Sequence, residues 1–278
     1  MMAYEFSPTS VSPEHIKKYA QLLSFVFKET NKFTPEFLDW QYAKNPQGQV
    51  VGYDAYANNE LAAHYVTIPV VYTINGIATK GLLSLNTATH PHHQGKGLFT
   101  QLANKTYTLG KELGYQFIIG VANQNSTPGF LKKLGFYLIS SLDVKIGLGK
   151  IHTRTHQHYQ LQSFWNKESM SWRLANPAAN YLRSGECIYT NTNKLSIHAL
   201  MCTLKPDMNN IIPPSKKLIP FKTWIGIDAK KEFKGLYFKL PEKLKPSPLN
   251  LIFKDLTGQF PIFNKDHVRF DLIDFDAY

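Results

Sequence analysis

Apolar and polar positions change period several times along the chain. Ile16, Tyr19, Leu23 and Val26 recur at helical spacing behind Ser12-Pro13-Glu14, a cap followed by proline at the first helical position. This predicts an amphipathic helix over residues 13–28. Thr34-Pro35-Glu36 repeats the cap, and a second helix carrying Phe37, Trp40 and Gln41 runs to Asn45-Pro46. The period then shortens. Residues 50–57, 61–72 and 77–89 read as strands, separated by the turn signals Asn58-Asn59 and Asn75-Gly76. Leu98, Leu102, Leu109 and Leu113 mark the face of another helix, widened by Phe99 and Ala103. Residues 117–121 form a short continuous apolar run, the pattern of a strand buried on both faces. Ser126-Thr127-Pro128 opens a helix that Gly135 closes, and 136–147 returns to strand.

This order predicts an α/β (α+β) fold over residues 1–147, a mixed central sheet flanked by helices. Residues 148–163 are polar with three irregularly spaced histidines and read as a linker rather than a metal site. Residues 164–278 read as a second, smaller domain. It opens with Trp172-Arg173-Leu174-Ala175-Asn176-Pro177, which answers Trp40…Asn45-Pro46 one residue shorter, and strands are expected over 186–203, 234–240, 249–255 and 267–275. The echo suggests a duplicated architecture, degenerate in the second copy, although so short a match also arises by chance.

Composition narrows the classes. At 278 residues and 43% hydrophobic, the chain can bury a real core. No apolar run approaches the roughly 20 residues of a membrane span, and the opening MMAYEFSPTS has neither the basic nor the apolar part of a signal peptide. Cys187 and Cys202 are the only cysteines, which suits a reducing cytoplasm and argues against a metal site. Lys and Arg exceed Asp and Glu by 31 to 20, a surplus that attracts polyanions. The basic residues are scattered, so a nucleic-acid partner is not expected, while a small anionic acceptor would fit.

The chemistry concentrates in HPHHQGKGLF, residues 90–99. Gly95 and Gly97 allow a tight turn with exposed N–H groups, and the following helix adds unpaired amides and a positive dipole end. Together these make an anion site. It is not the dinucleotide fingerprint, because Thr100 stands where a third glycine belongs, nor a Walker loop. The loop resembles the phosphate-binding pattern of the GCN5-related N-acetyltransferase (GNAT) superfamily: Arg or Gln, two residues, Gly, one residue, then Gly or Ala. Here it reads His92-His93-Gln94-Gly95-Lys96-Gly97, with histidine in the first place. The later NQNSTPGFLKKLGF, residues 123–136, is similar to the family's asparagine, helix and Leu-Gly-Phe sequence.

The resemblance implies an acetyl-CoA site, with the pyrophosphate on the amides of Gln94, Gly95, Lys96, Gly97 and Leu98, and with His92 beside it. The pantetheine arm would pair along Leu85, Thr87 and Thr89, near Asn123 or Asn125; capping of the next helix explains those asparagines equally well. Lys96 would add charge to the phosphates or simply face solvent.

An alkylamine with a pKa near 10 is neutral in only about one part in a thousand at pH 7, so a proton acceptor is needed. His90 is the first candidate for that relay and His64 the second; turn geometry before Pro91 and a satisfied core histidine are the competing accounts. The family's usual tyrosine acid falls at Leu131, next to Phe130, and Tyr137 is a weak substitute. Asp271, Asp274 and Asp276 would recognise an amine or lie on the outer face of a strand.

The expected activity is direct N-acetyl transfer from acetyl-CoA to a primary amine, a small molecule or amino sugar. The alternatives are an aminoacyl-tRNA-dependent transferase of duplicated acetyltransferase-like fold and a non-catalytic acyl-CoA sensor.

Overall fold

The computed structural model describes residues 3–29, 31–153, 158–192, 197–241 and 247–275, so Asp276 and His156 lie outside the described residues. Helices α1 (Pro13–Phe27) and α2 (Pro35–Ala43) start where their caps predict: the Ser12 hydroxyl accepts from the His15 amide, and the Thr34 hydroxyl from Phe37. Strands β1 (Glu5–Pro8), β2 (Val51–Ala57), β3 (Glu60–Ile74) and β4 (Ile77–Thr89) then pair antiparallel in succession. Their hairpins are closed by residues in the left-handed region, Asn58 and Asn59 in one and Asn75 and Gly76 in the other. Helix α3 (Leu98–Glu112) crosses over, and β5 (Phe117–Ala122) returns parallel to β4. Helix α4 (Thr127–Lys133) follows. The stretch 136–147 is not one strand: it breaks at Leu142 into β6 (Tyr137–Ser141) and β7 (Asp143–Thr153). Strand pairing also enters the segment read as a linker, through the end of β7 and through β8 (Leu161–Ser163), which pairs with β3.

After helix α5 (Lys167–Leu174) the chain lays down β9 (Tyr181–Ser184), β10 (Cys187–Asn191), β11 (His198–Thr203), β12 (Phe221–Ile227), β13 (Lys231–Lys239), β14 (Asn250–Asp255) and β15 (Val268–Asp271). The pairing repeats that of the first half. Strands β9, β10 and β11 are antiparallel neighbours and β12 lies parallel to β11, just as β5 lies parallel to β4. The two halves also exchange a strand. Strand β14 inserts between β5 and β6, and β7 pairs with both β12 and β13. Leu251, Ile252 and Phe253 of β14 are fully buried in the first half's core, with the Phe253 ring stacked on Phe117 at 5.2 Å.

The tryptophan echo meets across the join. Trp40 Nε1 donates to the Trp172 carbonyl (2.9 Å), Trp172 Nε1 donates to the Trp40 carbonyl (3.0 Å), and the rings stack at 4.9 Å. Each following asparagine accepts from the amide two residues on, Asn45 from Gln47 and Asn176 from Ala178. Such reciprocal contacts are what a pseudo-twofold relation between α2 and α5 requires.

The exchanged strand makes the halves one stability unit. Phe253→Ala should therefore lower the unfolding free energy of the whole chain by about 3–5 kcal/mol in a single denaturant transition. Two separated transitions, with only one displaced, would contradict that.

Candidate active site

Strands β4 and β5 pair from Gly81 with Phe117 to Ser84 with Gly120 and no further. The cause lies in β4. Leu85 faces Val66 and Ala88 faces His64, so Asn86 and Thr87 together oppose Tyr65 alone. Asn86 sits at φ 47°, in the left-handed region. This is a β-bulge, which bends its strand. The diverging strands leave a cleft of about 510 Å³. Leu85, Asn86, Thr87 and Thr89 line one side, Val121, Asn123 and Asn125 the other, with Phe99 and Phe130 on its wall and Phe27 also bordering it.

The glycine loop follows directly from the β4 side of this cleft. Gly95 and Gly97 both have φ of 73°. A Cβ on Gly95 would meet nothing within 4 Å, so the glycine is required by backbone conformation while the space above it stays open. Gly97 caps α3 without a side chain. Among the described residues nothing accepts from the amides of Gly95, Lys96, Gly97 or Leu98, whereas the Gln94 amide donates to the Pro91 carbonyl at 3.3 Å. The anion cradle is thus one amide shorter than the sequence suggests. It fits a pyrophosphate, and the cleft leading from it has exposed main chain on its β4 side, as an amide-bearing arm needs.

The predicted residues separate into those at the cleft and those near it. Leu85, Thr87, Thr89, Asn123 and Asn125 line it. Asn123 is also a cap, its Oδ1 accepting from the amides of Asn125 and Ser126. A neighbouring bond steadies this loop from β14's side: Asn250 Nδ2 donates to Thr127 Oγ1. His92 and Lys96 are exposed and Leu98 is buried as the first helical residue. His90 follows Thr89, with its ring stacked on Phe25 at 5.1 Å and 7° and its Nδ1 accepting from the His92 amide. Partial burial first, and then the neighbouring His92 and His93, lower its pKa. His64 is fully buried behind the β4 bulge, bonded to Asp54 and Tyr42. Tyr137 points to the 260s segment, where it accepts from the Phe263 amide. Among the described residues no group of His, Cys, Asp and Glu could hold a metal ion.

Sequence reasoning passed over Phe27, Phe99 and, above all, Asn86. An asparagine inside a long strand is unfavourable on a pleated surface and was the available signal for the bulge.

Among the described residues the equivalent gap in the second half is filled. Strand β12 leaves β11 after Trp224 and pairs with β15 through Gly226 and Ile227, so β15 occupies the gap. Trp224 and the fully buried Lys231 side chain both bond to Asp271 there. Burial alone would raise the Asp271 carboxyl, but the charges of Lys231 and Arg269 hold it well below the usual carboxylate range. Asp271 and Asp274 are both buried, which places them in packing rather than on an outer strand face.

Gly97→Asp should weaken CoA binding by at least about tenfold in calorimetry, through strain at positive φ and repulsion of phosphate. Gly114→Ala, a comparable left-handed glycine (φ 84°) at the far end of α3, should leave affinity unchanged within about twofold. Equal losses in the two variants would show that the loop matters only for folding.

Residues 8–139 match the family model described as an acetyltransferase (GNAT) domain. No curated protein matches the chain as a relative. Solved structures with a similar fold include a probable N-acyltransferase from Enterococcus faecalis V583, at 10% identity and TM-score 0.59, covering 91% of this chain and 73% of that one. A GCN5-related N-acetyltransferase from Anabaena variabilis ATCC 29413 matches at 13% identity and TM-score 0.59, with the same coverage of 91% and 73%. N-myristoyltransferase from Saccharomyces cerevisiae, solved with myristoyl-CoA and inhibitors, matches at 10% and 0.58, covering 92% and 80%. At these identities the likeness is one of fold. The bulged β4, the diverging β5 and the glycine loop all fall within residues 8–139, the part of the chain that matches the acetyltransferase (GNAT) domain model.

Proposed function

We propose that the protein transfers an acetyl group from acetyl-CoA to the primary amine of a small molecule, by direct attack and without a covalent enzyme intermediate. The GNAT domain sets the class, N-acyl transfer from an acyl-CoA. The observation that carries the reading is the open cleft between β4 and β5, which leads to unpaired amides at a helix N-terminus.

When bound, acetyl-CoA supplies an activated thioester carbonyl and a thiol leaving group. The amides of Gly95, Lys96, Gly97 and Leu98 would hold its diphosphate. The main chain of Leu85, Thr87 and Thr89 would pair with the pantetheine arm opposite Asn123 and Asn125. Amides at the bulge and just beyond it would stabilise the oxyanion. His90 would accept the amine's proton at Nδ1, directly or through water, giving up the long 3.4 Å contact from the His92 amide; partial burial and the neighbouring His92 and His93 lower its pKa. Phe99 and Phe130 meet edge to face at 5.3 Å on the cleft wall, which favours a short acyl group.

A second hollow of about 510 Å³ suits the acceptor in size. It begins at Glu29, two residues after Phe27 of the first cleft, and is lined by Lys32, Asn180, Asn191 and Lys217. Its carboxylate and two lysines fit a small amine that also bears negative charge, such as an amino sugar linked to phosphate. Cys187 and Cys202 are free thiols, and among the described residues no helix is long and apolar enough to cross a membrane; we place the protein in the cytoplasm.

Calorimetric titration with acetyl-CoA and with tRNA, followed by a free-thiol assay across an amine panel, tests the reading. Acetyl-CoA should bind, tRNA should not, and thiol should appear with at least one amine. Binding without thiol release would favour a sensor, and binding of charged tRNA alone an aminoacyl transferase. His90→Ala should lower kcat at pH 7 by about tenfold or more while acetyl-CoA affinity stays within about twofold. In the wild type kcat/KM should fall on the acid side with a midpoint below the ordinary histidine value of about 6.5, and the variant should lose that limb. Full turnover by His90→Ala would remove it from the mechanism.

A further inference from the structure

We propose that Tyr42 and His64, backed by Asp54, are positioning residues that hold the β4 bulge at Asn86 and so aim its main-chain amides at the thioester carbonyl. This rests on the acyl-CoA reading above and goes on to name the side chains that keep the oxyanion donors in place.

Asn86 is the only member of the group that reaches the cleft. Its left-handed backbone is unfavourable for a residue with a Cβ, and such a conformation persists when its surroundings over-determine it. Here they do. Asn86 Nδ2 donates to Gln41 Oε1 at 2.6 Å and to the Tyr42 hydroxyl at 3.0 Å, both residues being fully buried on α2. The Tyr42 hydroxyl lies 3.0 Å from His64 Nε2, and His64 Nδ1 lies 2.6 Å from Asp54 Oδ1. Asp54 in turn accepts from the Tyr19 hydroxyl at 2.6 Å and from Thr9 Oγ1 at 3.3 Å. The Tyr19 ring lies flat against His64 at 4.2 Å.

The hydrogen bonds run in one sense from end to end: Asn86 donates to Tyr42, Tyr42 to His64 Nε2, and His64 Nδ1 to Asp54. Assigning the ring hydrogen to Nδ1 satisfies every member of the chain. Helices α1 and α2 and strands β2 and β3 all contribute, so the bulge of β4 is fixed to four other elements at once. A buried polar chain of this kind is a poor way to gain stability, because well-packed apolar side chains do as well or better. Its place directly behind the bulge gives it another use. With both ring nitrogens engaged and no exposure, His64 acts through Tyr42 and Asn86, not on the reacting atoms.

The test uses acetyl-CoA labelled with ¹³C at the carbonyl, observed by isotope-edited infrared difference spectroscopy on the full-length protein, with CoA affinity measured in parallel. In the wild type the bound carbonyl band should lie at lower frequency than in free acetyl-CoA, because aimed donors polarise it. Tyr42→Phe keeps the ring and removes the hydroxyl. Asn86→Gly keeps the left-handed backbone and removes the anchor. In both, the band should move back toward the free position while CoA affinity stays within about threefold. Turnover with any amine found to be a substrate should fall by about tenfold or more. Variants that keep the displaced band overturn the proposal, as does a wild-type band that is not displaced. Loss of CoA affinity in both variants also overturns it, since the network would then support the cleft as a whole. Failure of wild-type protein to bind CoA at all would instead overturn the acyl-CoA reading, and this inference with it.

Discussion

Hydrogen bonding between β4 and β5 ends at Ser84 and Gly120, and the first half of the molecule is arranged around that ending. Two parallel strands that stayed paired would leave no main chain for a ligand to use. The bulge at Asn86 and Thr87 turns β4 away, and the glycine loop then presents the amides of a helix start beside the opening. One property, polar backbone left without a protein partner, thus recurs at both places. In most proteins such groups are a liability. At the edge of an open cleft they are what the proposed acyl-CoA site would use for recognition.

The second half shows what the same architecture becomes without those features. It keeps the order of strand pairing but has no α-helix between β11 and β12 and no glycine loop. Strand β15 fills the gap, and the buried Lys231 and Trp224 side chains both donate to Asp271 there. Its contribution to the first half is mechanical. Strand β14 backs β5, and Asn250 and Ser247 bond to the loop that carries Asn123 and Asn125. One half offers the cleft, and the other supplies a strand that stiffens its wall.

Much of this was legible because it is local. Caps at Ser12 and Thr34, asparagine turns and the spacing of Gly95 and Gly97 are decided within a few residues, and each appears where the sequence put it. The Trp40 and Trp172 echo was legible as a pattern, though its reciprocal hydrogen bonds needed three dimensions. Strand exchange was not legible, since β14 reads the same whichever half it joins. The short strands β8 and β9 carry too little period to be seen, and β12 was also passed over. His64 shows the same limit in the site: a histidine in an apolar strand suggests chemistry, but only the distances to Asp54 and Tyr42 reveal that both nitrogens are engaged.

The central claim is that unpartnered amides of the first half, and not those of the second, grip the carrier. Amide ¹H–¹⁵N shifts followed during a CoA titration test it most directly. The amides of Gly95, Gly97, Leu98, Thr87 and Thr89 should move together and saturate with one affinity, while those of Met201, Cys202 and Thr203 on β11 stay in place. Movement confined to β11, or none at the glycine loop, would contradict the account.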